Sequence, residues 1–329
     1  MLDLSDQSKE LLAFYENNYE LISKYELYSD RKQFIGNSDN RICRFCKKAS
    51  PQTSFKDDAH AVPVFIGNST LFTYEECDSC NHVHGDNLED QFAKFLGLRR
   101  TMSKIKGRKG VPTYRIPGKS NRVSFNSDKN TFEASCDVSD NFMKIDLSKK
   151  VIEMFSERQP YRRRSAFKCL VKMAINIMPR SELQYFEDTL SWITEIKPDD
   201  DKLDRKFYCF YSVSPASLKG IDIFLFKRKT FSAKLPYMSF YLAFGNFTFQ
   251  IFLPFCSQDR HIYGSTIEIQ RFPALHEKLN KVTYIIEDLS SNILQKDEQD
   301  SLRFTFSGDP KMKASGDFPK EELERILIT

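Results

Sequence analysis

Residues 43–97 read CRFCKKASPQTSFKDDAHAVPVFIGNSTLFTYEECDSCNHVHGDNLEDQFAKFLG. Two Cys-x-x-Cys pairs, Cys43/Cys46 and Cys77/Cys80, stand 30 residues apart in it. Four thiolates in two such pairs make a closed tetrahedral site for structural Zn²⁺, with no position left open for chemistry. Any chemistry must come from what the zinc holds in place. Three of the chain's five histidines, His60, His82 and His84, fall within or just after this bracket, and Asn81 follows the second pair directly. A lone histidine there would read as an ordinary zinc ribbon; this concentration points further.

The succession CRFC, AHAVP, CDSCN and HVHGDNLE resembles the zinc-bracketed form of the HNH endonuclease family. The resemblance implies a ββα-metal fold, in which a β-hairpin bearing the histidine packs against a short helix starting near the second pair. It also implies His60 as general base, Asn81 as a ligand of the nuclease ion, and Asn68 as the asparagine that orients the base. The family often places a second ligand immediately before the base, where this chain has Ala59. Two residues are candidates to complete the metal shell. Asp58 lies on the same side of an extended strand as His60. His84 shares a helical face with Asn81 and is the preferred one. Glu89 reads either as an added ligand or as a solvated helix residue. The resemblance extends over about residues 40–100.

Elementary chemistry agrees. Phosphodiester hydrolysis needs a deprotonated water and a cation to neutralise the phosphate. A neutral imidazole accepts a proton near neutral pH. Oxygen ligands from Asn and Asp suit Mg²⁺ or Mn²⁺, and a histidine ligand would shift the site towards Mn²⁺, Ni²⁺ or Zn²⁺.

The next stretch is lopsided. From Gln91 to Ser127 there are ten Lys/Arg and no acid. Arg99, Arg100, Lys104, Lys106, Arg108 and Lys109 are the candidates to hold a phosphate backbone. Net charge over the whole chain is only +4, so attraction to nucleic acid has to be local.

Length and composition set the frame. The 329 residues, 40% hydrophobic and 29% charged, describe a globular protein long enough for two cores. The start of the chain lacks the apolar core of a signal peptide, and the longest apolar run, near Met238 to Pro254, is broken by Gly245, Asn246 and Gln250. A cytoplasmic protein without a membrane segment is expected. In a reducing compartment the remaining cysteines, Cys136, Cys169, Cys209 and Cys256, read as core thiols.

The expected fold class is α+β, in three parts. Residues 1–39 form an N-terminal helical segment, with one helix over 5–30. Residues 40–128 hold the HNH module and its basic extension, including a helix over 86–98. Residues 129–329 form an α+β domain of unassigned task, with sensing, targeting and dimerisation all open. It contains short strands at 131–138 and 142–148, a helical hairpin from 165–178 and from Ser181 onward, and a charged linker at 197–206. Antiparallel strands are expected at 207–213, 221–229, 239–244, 247–254 and 265–272, with a closing helix at 320–328.

In overall arrangement the chain is similar to bacterial proteins that pair a DNA-cutting module with a sensing or targeting domain, some of them in anti-phage defence. The expected activity is metal-dependent cleavage of nucleic acid, DNA ahead of RNA. The alternative is a non-catalytic zinc-ribbon protein that binds nucleic acid. A third reading has the nuclease silent until a small-molecule activator binds or the chain forms a homo-oligomer.

Overall fold

The computed structural model describes residues 5–137, 140–195, 205–267, 269–273, 282–305, 311–314 and 323–328. The expected linker at 197–206 falls almost wholly outside these residues, as does His276. The chain forms two compact units: Met1–Asp90 with Arg163–Ile293, and Gln91–Arg162 with Leu294–Thr329. Both are mixed α and β, with antiparallel sheets predominating.

The first unit is built on a six-stranded antiparallel sheet in the order Tyr19–Leu27, Ile221–Arg228, Met238–Phe244, Phe247–Phe252, Tyr208–Val213, Thr283–Asp288. Its central strands are nearly continuous apolar runs, and every residue of Met238–Phe244 is buried. That is the pattern of a strand covered on both faces. Phe244 pairs with Phe247 across a two-residue turn that Gly245 enters at φ 53°. One face carries an aromatic cluster of Tyr15, Tyr19, Phe224, Phe226 and Tyr241 under helix α1, Asp6–Asn18.

Helix α1 is shorter than the sequence suggests. It ends at Asn18, and Tyr19–Leu27 is a strand paired with Ile221–Arg228, with a register shift between Leu21 and Ser23. The helical spacing of Tyr19, Ile22 and Tyr25 is overridden by a sheet edge that supplies backbone partners along the whole segment. Residues 265–267 and 269–272 are not a strand. The edge position is taken instead by Thr283–Asp288, which the sequence pattern did not mark.

Three further helices matter for the site. Asp78–His84 (α2) runs through one wide π turn, Gly85–Glu89, into Asp90–Met102 (α3), whose helical backbone breaks at Gly97 (φ 51°, ψ −134°). Arg163–Ile177 (α4) is buried almost all round, including Lys168, Lys172 and Asn176. Its end is tied to the sheet by a hydrogen bond from Ser23 Oγ to the Ile177 carbonyl, 2.9 Å. The expected hairpin follows as a 3₁₀ segment, Arg180–Phe186, leading into Glu187–Thr194 (α5).

The second unit holds a five-stranded sheet and a three-stranded one. Its core gathers Leu98, Tyr114, Ile116, Val123, Ala134, Phe142, Ile152 and Met154. The helix expected at 320–328 is a strand, Leu323–Ile328, antiparallel to Thr131–Asp137. The open backbone of that strand captures it.

Candidate active site and metal centre

The zinc bracket is assembled by two different local structures. Cys43 and Cys46 sit on a tight turn. Its closing bonds run from the Lys47 amide to the Cys43 carbonyl (2.9 Å) and from the Cys43 amide to the Lys48 carbonyl (3.0 Å), with Lys47 at φ 60°. Cys77 stands at the N-terminal boundary of α2 and Cys80 lies in its first turn. The four sulfurs lie within 4.8 Å of one another. Cys46 Sγ and Cys77 Sγ are 3.7 Å apart. That separation is far too long for a disulfide, and it matches the roughly 3.8 Å between sulfurs placed tetrahedrally at about 2.3 Å from one zinc. A hydrogen bond from Cys80 lowers the Cys43 thiol against the effect of burial. These four residues would hold Zn²⁺, whose contribution is to fold the module. Among the described residues no other group of three His, Cys, Asp or Glu side chains converges in this way.

His60 ends the two-residue strand Ala59–His60, paired with Thr73 and Phe72 of Leu71–Thr73. Its ring is half-buried against Phe72, centroids 4.4 Å apart. Ala59 is 1% exposed, so the position where the family places a ligand points into the core. Asp58, one residue earlier, is exposed. The loop after His60 folds back through the 3₁₀ turn Val64–Ile66 and Gly67 (φ 101°) to Asn68. Asn68 is buried and fixes the loop from within. Its Nδ2 donates to the carbonyls of Val62 (2.7 Å) and Leu71 (2.9 Å), and its Oδ1 accepts from the amides of Thr70 (3.0 Å) and Leu71 (2.9 Å). The same Nδ2 stands 3.4 Å from His60 Nδ1.

On the opposite arm, Asn81 is half-buried in α2. His82 is exposed and faces Asp86 at 3.3 Å. His84 is 1% exposed, edge-on to Phe45, and its Nδ1 meets Glu76 Oε1 at 2.9 Å. Burial alone would raise the Glu76 carboxyl. Lys172 first, then His84 and Asn176, outweigh it and hold the group at about 2. Lys172, wholly buried on α4, reaches both Glu76 Oε2 and Glu89 Oε1 at 3.1 Å. Glu89 is therefore neither a solvated helix residue nor a side chain without a cation.

Several positioning residues escaped the sequence reading. Asp78 accepts the amides of Lys56 and Asp57, both at 3.0 Å, and so ties the chain leading to Asp58 and His60 to the second cysteine pair. Arg44, buried between the first two cysteines, binds Glu75 Oε2 at 2.5–2.6 Å, and its Nη1 reaches the Ile175 and Met178 carbonyls on and after α4 at 2.8 and 2.5 Å. The available signals were two acids, Glu75 and Glu76, inside a buried segment, and Lys168, Lys172 and Asn176 recurring every four residues along an apolar helix.

The basic stretch divides by environment. Arg99 is committed to Asp300 through two hydrogen bonds of 2.5 and 2.7 Å. Burial lowers Arg100 to about 10. Lys104 packs over Phe125 and bonds Asn130 Oδ1 at 3.0 Å. Lys106, Arg108 and Lys109 are exposed. Arg108 and Lys109 form the tip of a two-residue turn closed by reciprocal amide–carbonyl bonds between Gly107 and Gly110, 2.9 and 3.1 Å. In the first unit, the arginines that open α4 are also internally paired, Arg163 with Glu287 (2.6 Å) and Arg164 with the Ser290 carbonyl (2.7 Å).

Residues 43–96 match the family model described as HNH endonuclease. The match begins at the first cysteine of the bracket and covers His60, Asn68, Asn81 and His84. No curated protein and no solved structure matches the chain. Among the described residues no helix is long and apolar enough to cross a membrane.

Proposed function

We propose that the first unit is a metal-dependent endonuclease that hydrolyses phosphodiester bonds of DNA. The observation that carries this reading is His60, half-exposed beside a buried asparagine on a hairpin held by a four-thiolate bracket. His60 takes the proton of the attacking water. Asn68 fixes the loop against which the imidazole is set. Asn81 and Asp58 are the oxygen donors open to a hard divalent ion, Mg²⁺ or Mn²⁺, which when bound supplies charge neutralisation at the phosphate. His84, preferred from sequence, is sealed from solvent with Nδ1 engaged by Glu76, and Asp58 takes its place in this assignment. The exposed tip at Lys106, Arg108 and Lys109 supplies sequence-independent attraction to phosphate.

The deciding experiment is plasmid nicking with Mn²⁺ or Mg²⁺ and with EDTA, comparing wild type with His60→Ala at equal zinc content. Cleavage that needs the added ion and vanishes in the variant is expected. DNA binding without cleavage in either protein would instead favour the non-catalytic zinc ribbon. A defence role is read out separately, as plaque reduction in cells expressing wild type but not His60→Ala.

A further inference from the structure

Helix α4 lies outside the segment that matches the family model, yet it enters the core of the candidate nuclease. Asn176, fully buried on this helix, has two amide hydrogens and two acceptors for them. Its Nδ2 donates to the carbonyl of Ala61 at 3.0 Å and to Glu76 Oε2 at 2.9 Å. Ala61 is the residue after His60, and its own amide bonds the Leu71 carbonyl at 3.1 Å. Glu76 immediately precedes Cys77 and also carries His84 and Lys172. One side chain thus clamps the backbone beside His60 to the base of the second cysteine pair.

We infer that Asn176 is a positioning residue for His60, and that α4 is a working part of the nuclease module. The inference rests on the nuclease reading above. A buried amide could simply fill its site, but both of its donations end on segments that carry proposed functional residues, His60 on one side and the zinc bracket on the other. Without them the Ala61 carbonyl and the Glu76 carboxylate each lose a partner in a solvent-free region, and the strand end bearing His60 loses a hydrogen bond from α4.

The test uses the full chain and two readouts. Asn176→Leu removes both donations and keeps the volume. Met173→Ala, a buried change on the same helix, controls for loss of stability alone. His60 Cε1–H is followed by NMR against pH, its signal identified by its disappearance in His60→Ala, beside single-turnover cleavage and DNA affinity. In Asn176→Leu the His60 signal and its titration midpoint should shift, and the cleavage rate at saturation should fall about tenfold or more with DNA affinity within twofold of wild type. Met173→Ala should leave the His60 titration unmoved. If Asn176→Leu does not fold, Asn176→Ser, which keeps one short donor, takes its place. An unmoved His60 titration in a folded Asn176 variant overturns the inference. A shifted titration in a protein whose wild type never cleaves supports the clamp and overturns the nuclease reading.

Discussion

Asn68 Nδ2 stands 3.4 Å from His60 Nδ1 while donating to two carbonyls at 2.7 and 2.9 Å. An amide nitrogen has two hydrogens, and the two short contacts account for both. Asn68 therefore acts on His60 chiefly by shaping the loop that surrounds it.

It follows that Asn68→Ala should cost both stability and activity. The change removes the side-chain partner of the Val62 carbonyl and of the Thr70 and Leu71 amides in a buried loop, at about 1–3 kcal/mol for each unsatisfied group, while the Leu71 carbonyl keeps the Ala61 amide. Denaturant unfolding should show a loss of several kcal/mol, with zinc retained. A variant as stable as wild type would show that the loop holds itself.

Cys43→Ser and Cys80→Ser should each lose zinc and unfold the module, because the ion supplies folding free energy. Metal content by mass spectrometry and thermal melting check this. Stoichiometric zinc with native melting in either variant would refute the four-thiolate site.

The buried ion pair gives a pH prediction. The Glu76 carboxyl lies at about 2, below its ordinary 4.5. A carboxyl lowered by folding stabilises the protein above its unfolded pKa, and that contribution fades as pH falls from about 4.5 towards 2. Lys172→Met should cost about 3–5 kcal/mol at pH 7 by leaving two carboxylates without their cation, and it should flatten this acid limb. Denaturant melts between pH 2 and 6 read both effects.

The basic stretch should split in two. Changing Lys106, Arg108 and Lys109 to Ala should flatten the salt dependence of DNA binding by roughly 0.9 per lost phosphate contact. Arg99→Ala should leave that slope alone and destabilise the second unit by about 1–3 kcal/mol, since Asp300 keeps Arg158 as a second cation. Equal slopes for all variants would make the turn an ordinary solvated loop.

What the sequence revealed was local. The cysteine spacing, AHAVP and CDSCN lie within one 54-residue match, 43–96, so their pattern is visible without knowing the fold. The aromatic strands announced the sheet. What stayed hidden depends on distant pairing. Tyr19–Leu27 became a strand because residues 221–228 lay open beside it, and no periodicity within 5–30 records that. His84 looked like a ligand by spacing, but its environment is set by Glu76, Phe45 and, through Glu76, by Lys172 on α4. Arg99 and Lys106 are equally basic in the sequence, and contacts with Asp300 and Ser301, some 200 residues further on, separate their fates.

The clamp from α4 also sets an order of events during synthesis. A nascent chain that has emerged through Leu96 carries the thiols, His60 and Asn81, but not Lys172 or Asn176. The 80 residues from Leu96 to Asn176 take roughly 4–16 s at about 5–20 residues per second. Through that interval Glu76 has no buried cation and the Ala61 carbonyl no amide. On the nuclease reading, a chain broken off anywhere in that stretch would carry the four thiols and His60 without the brace from α4, and would cut less than the finished protein.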